Sequence, residues 1–194
     1  MKVFFNAPNS LTLLRLVLIP VFVLIYYSSW RWSNLLTTLV FLLAALTDWL
    51  DGYLARRLNQ SSAFGAFLDP VVDKLMVAAA LILLLGTPHL AEHSLSGRFF
   101  GVVVLIIIGR EITVSALREW MAELGRRSSV AVSFMGKIKT TAQMVAIPFM
   151  LYRRPIGHVQ VFMVGELLLY LAAALTLWSM GIYLRAAWPH LTHE

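Results

Sequence analysis

Six apolar stretches punctuate the chain: Leu11–Tyr27, Leu35–Leu54, Asp69–Leu85, Phe99–Leu117, Ser133–Leu151 and Val159–Leu184. Each is close to the ~20 residues that a helix needs to cross a bilayer. In hydrocarbon every backbone N–H and C=O has to be satisfied inside the protein, which leaves helices as the economical solution for segments of this length. A content of 59% hydrophobic and only 13% charged residues excludes an ordinary soluble domain, where charged residues make up about 25%. The expected fold is therefore an all-α integral membrane protein with six transmembrane helices. With no internal repeat and no Pro/Gly/Ser-rich linker, residues 1–194 read as one domain.

The punctuation between the spans carries its own expectations. The opening MKVFFNAPNSLTLLRL lacks a small-residue cleavage site, so it is expected to be retained. Pro8 and Asn9 are expected to end an extended lead-in, with Asn9 or Ser10 capping the first helix and Pro20 kinking it. Arg15 should either snorkel to the headgroups or point at a phosphate. Trp30 and Trp32 in SSWRWS suit a membrane interface. RRLNQSSAFG reads as a polar connection, Pro70 as a first-turn residue of the third helix, and EWMAELGRRSSVAVS as the most soluble-looking connection. Glu166, a lone acid in the last span, reads as a packing or interfacial residue.

An even number of spans puts both termini on one side, and lysine and arginine choose that side. One face carries Lys2, Arg15, Arg56, Arg57, Lys74, Arg110, Arg118, Arg126, Arg127, Lys137, Lys139 and Arg185. The other carries Arg31, Arg98, Arg153 and Arg154, so the division is twelve against four of 16 and the termini should be cytoplasmic. The net charge of +6 fits apposition to anionic lipid and phosphate-bearing substrates. Nucleic acid is not expected as a partner, because the basic residues are scattered between apolar spans. With no cysteine, thiolate chemistry is unavailable.

All four aspartates of the chain, Asp48, Asp51, Asp69 and Asp73, fall within DWLDGYLARRLNQSSAFGAFLDPVVD, residues 48–73. Asp48, Asp51 and Ala55 share one helix face, and Asp69 and Asp73 share another at i, i+4. Ionised groups near hydrocarbon cost roughly 2.5–3.5 kcal/mol each on insertion scales. Like charges moreover repel unless a cation neutralises them. Four carboxylates on two helices make a hard, oxygen-rich site suited to Mg²⁺ or Mn²⁺ rather than zinc. A solvated acidic loop is the bland alternative, but Gly52, Ala55 and Gly65 among the acids suit close approach of a ligand or backbone.

The pattern D-x-x-D-G-x-x-A-R, eight residues, then G-x-x-x-D-x-x-x-D resembles the signature of the CDP-alcohol phosphatidyltransferases. Its fixed positions are matched by Asp48, Asp51, Gly52, Ala55, Arg56, Gly65, Asp69 and Asp73. The resemblance implies displacement of CMP from a CDP-linked lipid by an alcohol. It implies Asp48, Asp51, Asp69 and Asp73 as ligands of divalent metal, two ions being expected, with Asp73 also the general base. It implies that Asp48, Asp51, Gly52, Ala55, Arg56, Gly65 and Asp69 hold the cytidine diphosphate, and that homodimers form.

Outside that signature, NAPNSLTLLR, GREI and SFMGKIKTTAQM are similar to the branch of the family that uses CDP-diacylglycerol and glycerol 3-phosphate. An acceptor carrying a phosphate dianion needs cations, and Arg110, Lys137 and Lys139, with Gln143, are the candidates. Arg110 and Glu111 also admit a plainer reading as a local ion pair. Inositol phosphate, serine or phosphatidylglycerol are rival acceptors within the family. An ion-coupled transporter is the rival of another class, but acids spread through the bilayer depth would suit it better than four near one face. A bacterial inner membrane, with the site facing the cytoplasm, is the expected location.

Overall fold

The computed structural model describes residues 7–58, 63–88, 90, 94–123 and 134–191. Six long helices account for nearly all of them: α1 (Ala7–Tyr27), α2 (Ser33–Leu58), α3 (Ala63–Leu85), α4 (Gly97–Glu123), α5 (Phe134–Tyr152) and α6 (Val161–Leu191). No strand occurs among the described residues, only an isolated bridge between Ile156 and Val159. Three helical segments, Asn9–Tyr27, Gly97–Glu123 and Val161–Arg185, are long and apolar enough to cross a membrane. At 31 residues α6 reaches ~46 Å at 1.5 Å per residue, more than a ~30 Å hydrocarbon core requires.

Several helices run past the apolar stretches, α1 and α3 at their starts and α2, α4 and α6 at their ends, because helix propensity does not stop where hydrophobicity does. Pro8 lies in the first turn of α1, where its missing N–H costs nothing, so the helix starts at Ala7 and there is no extended lead-in at Pro8 and Asn9. Pro70 sits inside α3 rather than in its first turn, since Ala63–Leu68 are already helical. There its ring removes an N–H that would otherwise bond the carbonyl one turn earlier. Arg56 and Arg57 belong to α2, and Glu119 and Glu123 to α4, which shortens both polar connections.

Two compact units emerge: Met1–Thr87 with Pro148–Phe162, and Pro88–Ile147 with Met163–Glu194. In the first, α1 packs against both α2 and α3. The buried rings of Phe22 and Phe41 meet at 6.3 Å between centroids. The Tyr26 hydroxyl donates to the Leu83 carbonyl at 2.5 Å, satisfying one of the carbonyls left over in the last turn of α3. The Arg153 guanidinium lies 4.5 Å from the Tyr26 ring centroid. Arg153 and Gly157 adopt φ of 60°, the left-handed geometry that lets the chain turn tightly around the Ile156–Val159 bridge.

In the second unit, Val114, Met121 and Tyr183 form a buried cluster covered by Leu117, Trp120 and Met180. Glu166 is fully buried and accepts three hydrogen bonds, from Ser94 Oγ at 2.6 Å, Leu95 N at 3.0 Å and the Tyr170 hydroxyl. It thereby ties α6 to the turn that opens α4, a packing role for the lone acid. Phe99 closes the arrangement edge-on against Tyr170, 5.0 Å between centroids.

The outward faces are apolar: Leu24 is 73% exposed and Leu105 71%, as suits contact with lipid. Hydroxyls in this setting bond back to their own helices, Thr37 to the Ser33 carbonyl, Thr38 to Asn34 and Thr47 to Leu43.

Glu166→Ala would leave Ser94, the Leu95 N–H and Tyr170 without their acceptor. A loss of about 3 kcal/mol is expected, read as a lower thermal unfolding midpoint in detergent, while the turnover of the protein that remains folded stays unchanged.

Candidate active site

The motif positions divide between two helices. Asp48, Asp51, Gly52, Ala55 and Arg56 lie on the C-terminal half of α2, and Gly65, Asp69 and Asp73 lie on the first half of α3. The side chains of Asp51, Ala55 and Arg56 fall outside the described residues, as does that of Lys137. Gly65 is buried near the start of α3, a position where a side chain would have to find room.

Asp48, Asp69 and Asp73 converge on one cation, the guanidinium of Arg15 from α1. Arg15 Nη1 donates to Asp48 Oδ1 at 2.6 Å and to Asp73 Oδ1, and Nη2 lies 3.4 Å from Asp69 Oδ1. The Thr12 hydroxyl donates to Asp69 Oδ1 as well. Arg15 is 3% exposed, whereas the three carboxylates remain 35–38% exposed and so face an accessible side. Arg15 is therefore turned into the protein against the carboxylates rather than snorkelling to the headgroups. Burial beside three carboxylates is the better place for an arginine in an apolar helix, because the attraction between opposite charges offsets the desolvation of each.

Thr12 was not singled out from the sequence, and Arg15 was noticed there without its partners, although a signal was present for both. Asn9, Thr12 and Arg15 are all buried and recur every three residues along an otherwise apolar helix. Such a polar stripe in a membrane helix faces the protein interior.

The donor set fits a hard divalent cation: carboxylate oxygens from two helices, aimed at a single point already filled by positive charge. Among the described residues no three acidic or histidine side chains are drawn close enough to grip a metal as they stand. The guanidinium is the centre they are gathered about.

Two of the cations assigned from the sequence to an acceptor phosphate, Arg110 and Lys139, meet within the second unit. Lys139 Nζ donates to Glu111 Oε1 at 2.7 Å, and Arg110 Nη1 reaches the same oxygen at 3.2 Å. Arg110 Nη2 also donates to Ser179 Oγ at 2.9 Å. Arg110, Lys139 and Gln143 are all buried, and Gln143 stands one turn beyond Lys139 on α5. The ion pair of Arg110 with its neighbour is thus real, and it extends to Lys139. Arg118, Ser179 and Tyr183 are additions that the sequence did not single out. Arg118 Nη2 donates to the Tyr183 hydroxyl at 3.0 Å, and the guanidinium carbons of Arg110 and Arg118 lie 5.7 and 5.2 Å from the Tyr183 ring centroid. Ser179 and Tyr183 are an i, i+4 pair on α6 whose partners lie 69 and 65 residues away, so only folding could connect them.

Comparison with known proteins bears on the chain as a whole. The CDP-alcohol phosphatidyltransferase family matches residues 5–178. A protein of Escherichia coli (strain K12) named CDP-diacylglycerol–glycerol-3-phosphate 3-phosphatidyltransferase is 54% identical over 183 residues, covering 94% of this chain and 95% of its own length. Proteins of the same name from Shigella flexneri and Salmonella typhimurium are 54% and 52% identical over the same shares. Enzymes of this family are generally dependent on a divalent metal. The signature carried by α2 and α3 and the match along most of the sequence agree: this chain belongs to the CDP-alcohol phosphatidyltransferase family.

Proposed function

We propose that this protein transfers the phosphatidyl group of CDP-diacylglycerol to glycerol 3-phosphate, giving phosphatidylglycerophosphate and CMP. The observation that carries the reading is the convergence of Asp48, Asp69 and Asp73 from α2 and α3 on one positively charged centre. The names of the relatives supply the donor and the acceptor.

In this reading Asp48, Asp51, Asp69 and Asp73 hold Mg²⁺ or Mn²⁺, two ions in all. Bound divalent cations supply Lewis acidity at the diphosphate and offset charge on the departing CMP. Gly52, Ala55 and Gly65 leave room for the cytidine diphosphate, with Arg56 on a phosphate. Asp73 takes the proton from the acceptor hydroxyl as that oxygen bonds to the phosphatidyl phosphorus. The phosphorus–oxygen bond to CMP breaks in line, and the bridging oxygen leaves with CMP. Arg110, Lys137, Lys139 and Gln143 receive the phosphate of glycerol 3-phosphate, each charge-assisted contact fixing its orientation. Glu111 keeps Arg110 and Lys139 from being lone buried cations.

The whole chain acts as one membrane domain in the bacterial inner membrane, both termini and the active site facing the cytoplasm, and it works as a homodimer. All six helices are embedded, the acyl chains of the donor lying against lipid.

Purified protein with CDP-diacylglycerol and Mg²⁺ should release CMP with glycerol 3-phosphate and not with inositol phosphate, inositol or serine. Release with one of the others alone would keep the mechanism and remove the acceptor assignment. Asp73→Asn should lower CMP release by roughly 10²–10⁴-fold with the unfolding midpoint little changed, and full activity in that variant would remove the base. Lys139→Ala should raise KM for glycerol 3-phosphate about tenfold or more while KM for CDP-diacylglycerol stays near its starting value. Equal effects on both substrates would count against an acceptor site there.

A further inference from the structure

The first unit gathers three arginines at the end of its helices away from the aspartates. Arg31 lies in the turn between α1 and α2, and Arg153 and Arg154 directly follow α5. Arg154 Nη2 donates to the Arg31 carbonyl at 2.9 Å, which fastens the connection after α5 to the α1–α2 turn. The Arg153 guanidinium lies against the Tyr26 ring, and that of Arg31 is 5.8 Å from the Trp32 ring centroid. Tyr26 stands about 16 Å beyond Arg15 along α1, at 1.5 Å per residue. We infer that this end of the molecule binds the headgroup of an anionic phospholipid, Arg31 and Arg154 taking its phosphodiester.

Charge is the first support. No acid of this unit lies outside the four-aspartate motif. Among the described residues, Arg31, Arg153 and Arg154 accordingly meet a carbonyl and aromatic side chains but no carboxylate. Neighbouring guanidiniums repel unless an anion offsets them, and a phosphate group matches the fork of an arginine. Placement is the second. Trp30 and Trp32 are exposed on either side of Arg31, and Ile156 and Val159 are 61% and 54% exposed beyond Arg154. Tryptophans at a membrane surface sit at headgroup level, which is the level of the lipid phosphates. Rigidity is the third. Ile156 and Val159 exchange backbone hydrogen bonds of 3.1 Å, so Arg154 is carried by a fixed turn and little ordering is left to be done on binding.

Net charge selects among lipids. A choline headgroup brings its own cation toward three arginines, whereas the glycerol of phosphatidylglycerol adds none. Free phosphate offers the same oxygens but no acyl chains for the apolar side chains exposed around the arginines. The occupant is therefore a lipid of net negative charge, in the leaflet away from the aspartates.

The test supplies full-length protein in detergent with phosphatidylglycerol or phosphatidylcholine of the same acyl chains and counts bound lipid by native mass spectrometry. The unaltered protein should prefer phosphatidylglycerol, and the preference should fall about fivefold for each arginine removed in Arg31→Gln and Arg154→Gln. Release of CMP by these variants should match that of the unaltered protein, which separates this site from the active site. Arg31→Lys with Arg154→Lys keeps the charge and should keep most of the preference. That pair carries the test if the glutamine variants fold poorly, its expected contrast being Arg31→Glu with Arg154→Glu, which should reject phosphatidylglycerol. No preference in the unaltered protein, or an equal preference in the glutamine variants, would overturn the site. Thermal stabilisation by inorganic phosphate equal to that by the lipid, at matched ionic strength, would overturn the lipid as its occupant.

Discussion

Like charge crowded between α2 and α3 is the constraint on which the first unit depends. Three aspartates from α2 and α3 meet around one point, and such a cluster of like charge needs compensation. The compensation comes from a third helix. Arg15, set behind the acids by α1, makes α1 the element that joins the two halves of the motif, and α1 accordingly packs on both of them. The same charge that is costly in isolation becomes the reason three helices share one register.

The second unit obeys the same rule with the signs reversed. Here the crowded charges are cations, Arg110, Arg118 and Lys139, and the compensation is a carboxylate, Glu111, with the Tyr183 ring and the Ser179 hydroxyl. Aromatic faces and hydroxyls suit guanidinium groups in a dry setting, since they meet the positive charge without adding a second full charge. Glu166 shows the other arrangement open to an acid: it accepts from a hydroxyl, an amide and a phenol and becomes a strut. Acidic residues thus serve different ends according to whether cations or neutral donors meet them.

Much of the architecture was legible in the residues. Apolar runs of bilayer length announced six helices, and all six are present. Their ends were less legible. Pro8 and Pro70 were read as marking helix starts, yet α1 begins just before the first and α3 begins well before the second. A proline is tolerated at the first turn and can be carried further in when the residues before it favour a helix, so its presence bounds a start only loosely. The aspartates were legible as a group because their spacing on two helices is local. Arg15 was noticed, but its partners were not: nothing local in NSLTLLR says that residues 48, 69 and 73 will stand opposite it.

The sequence by itself therefore determined the helical membrane fold, the family signature, and the chemistry that four acids and a handful of cations can offer. These follow from composition, period and spacing, which act over a few turns of helix. Tertiary structure alone decided which groups are paired across the fold: Arg15 with Asp48, Asp69 and Asp73, Lys139 with Glu111, Arg118 with Tyr183. The physical reason is range. Helix formation is settled between residues three and four apart, whereas an ion pair forms wherever folding brings two side chains within a few ångströms, and most of these lie 28 to 65 residues apart in the chain.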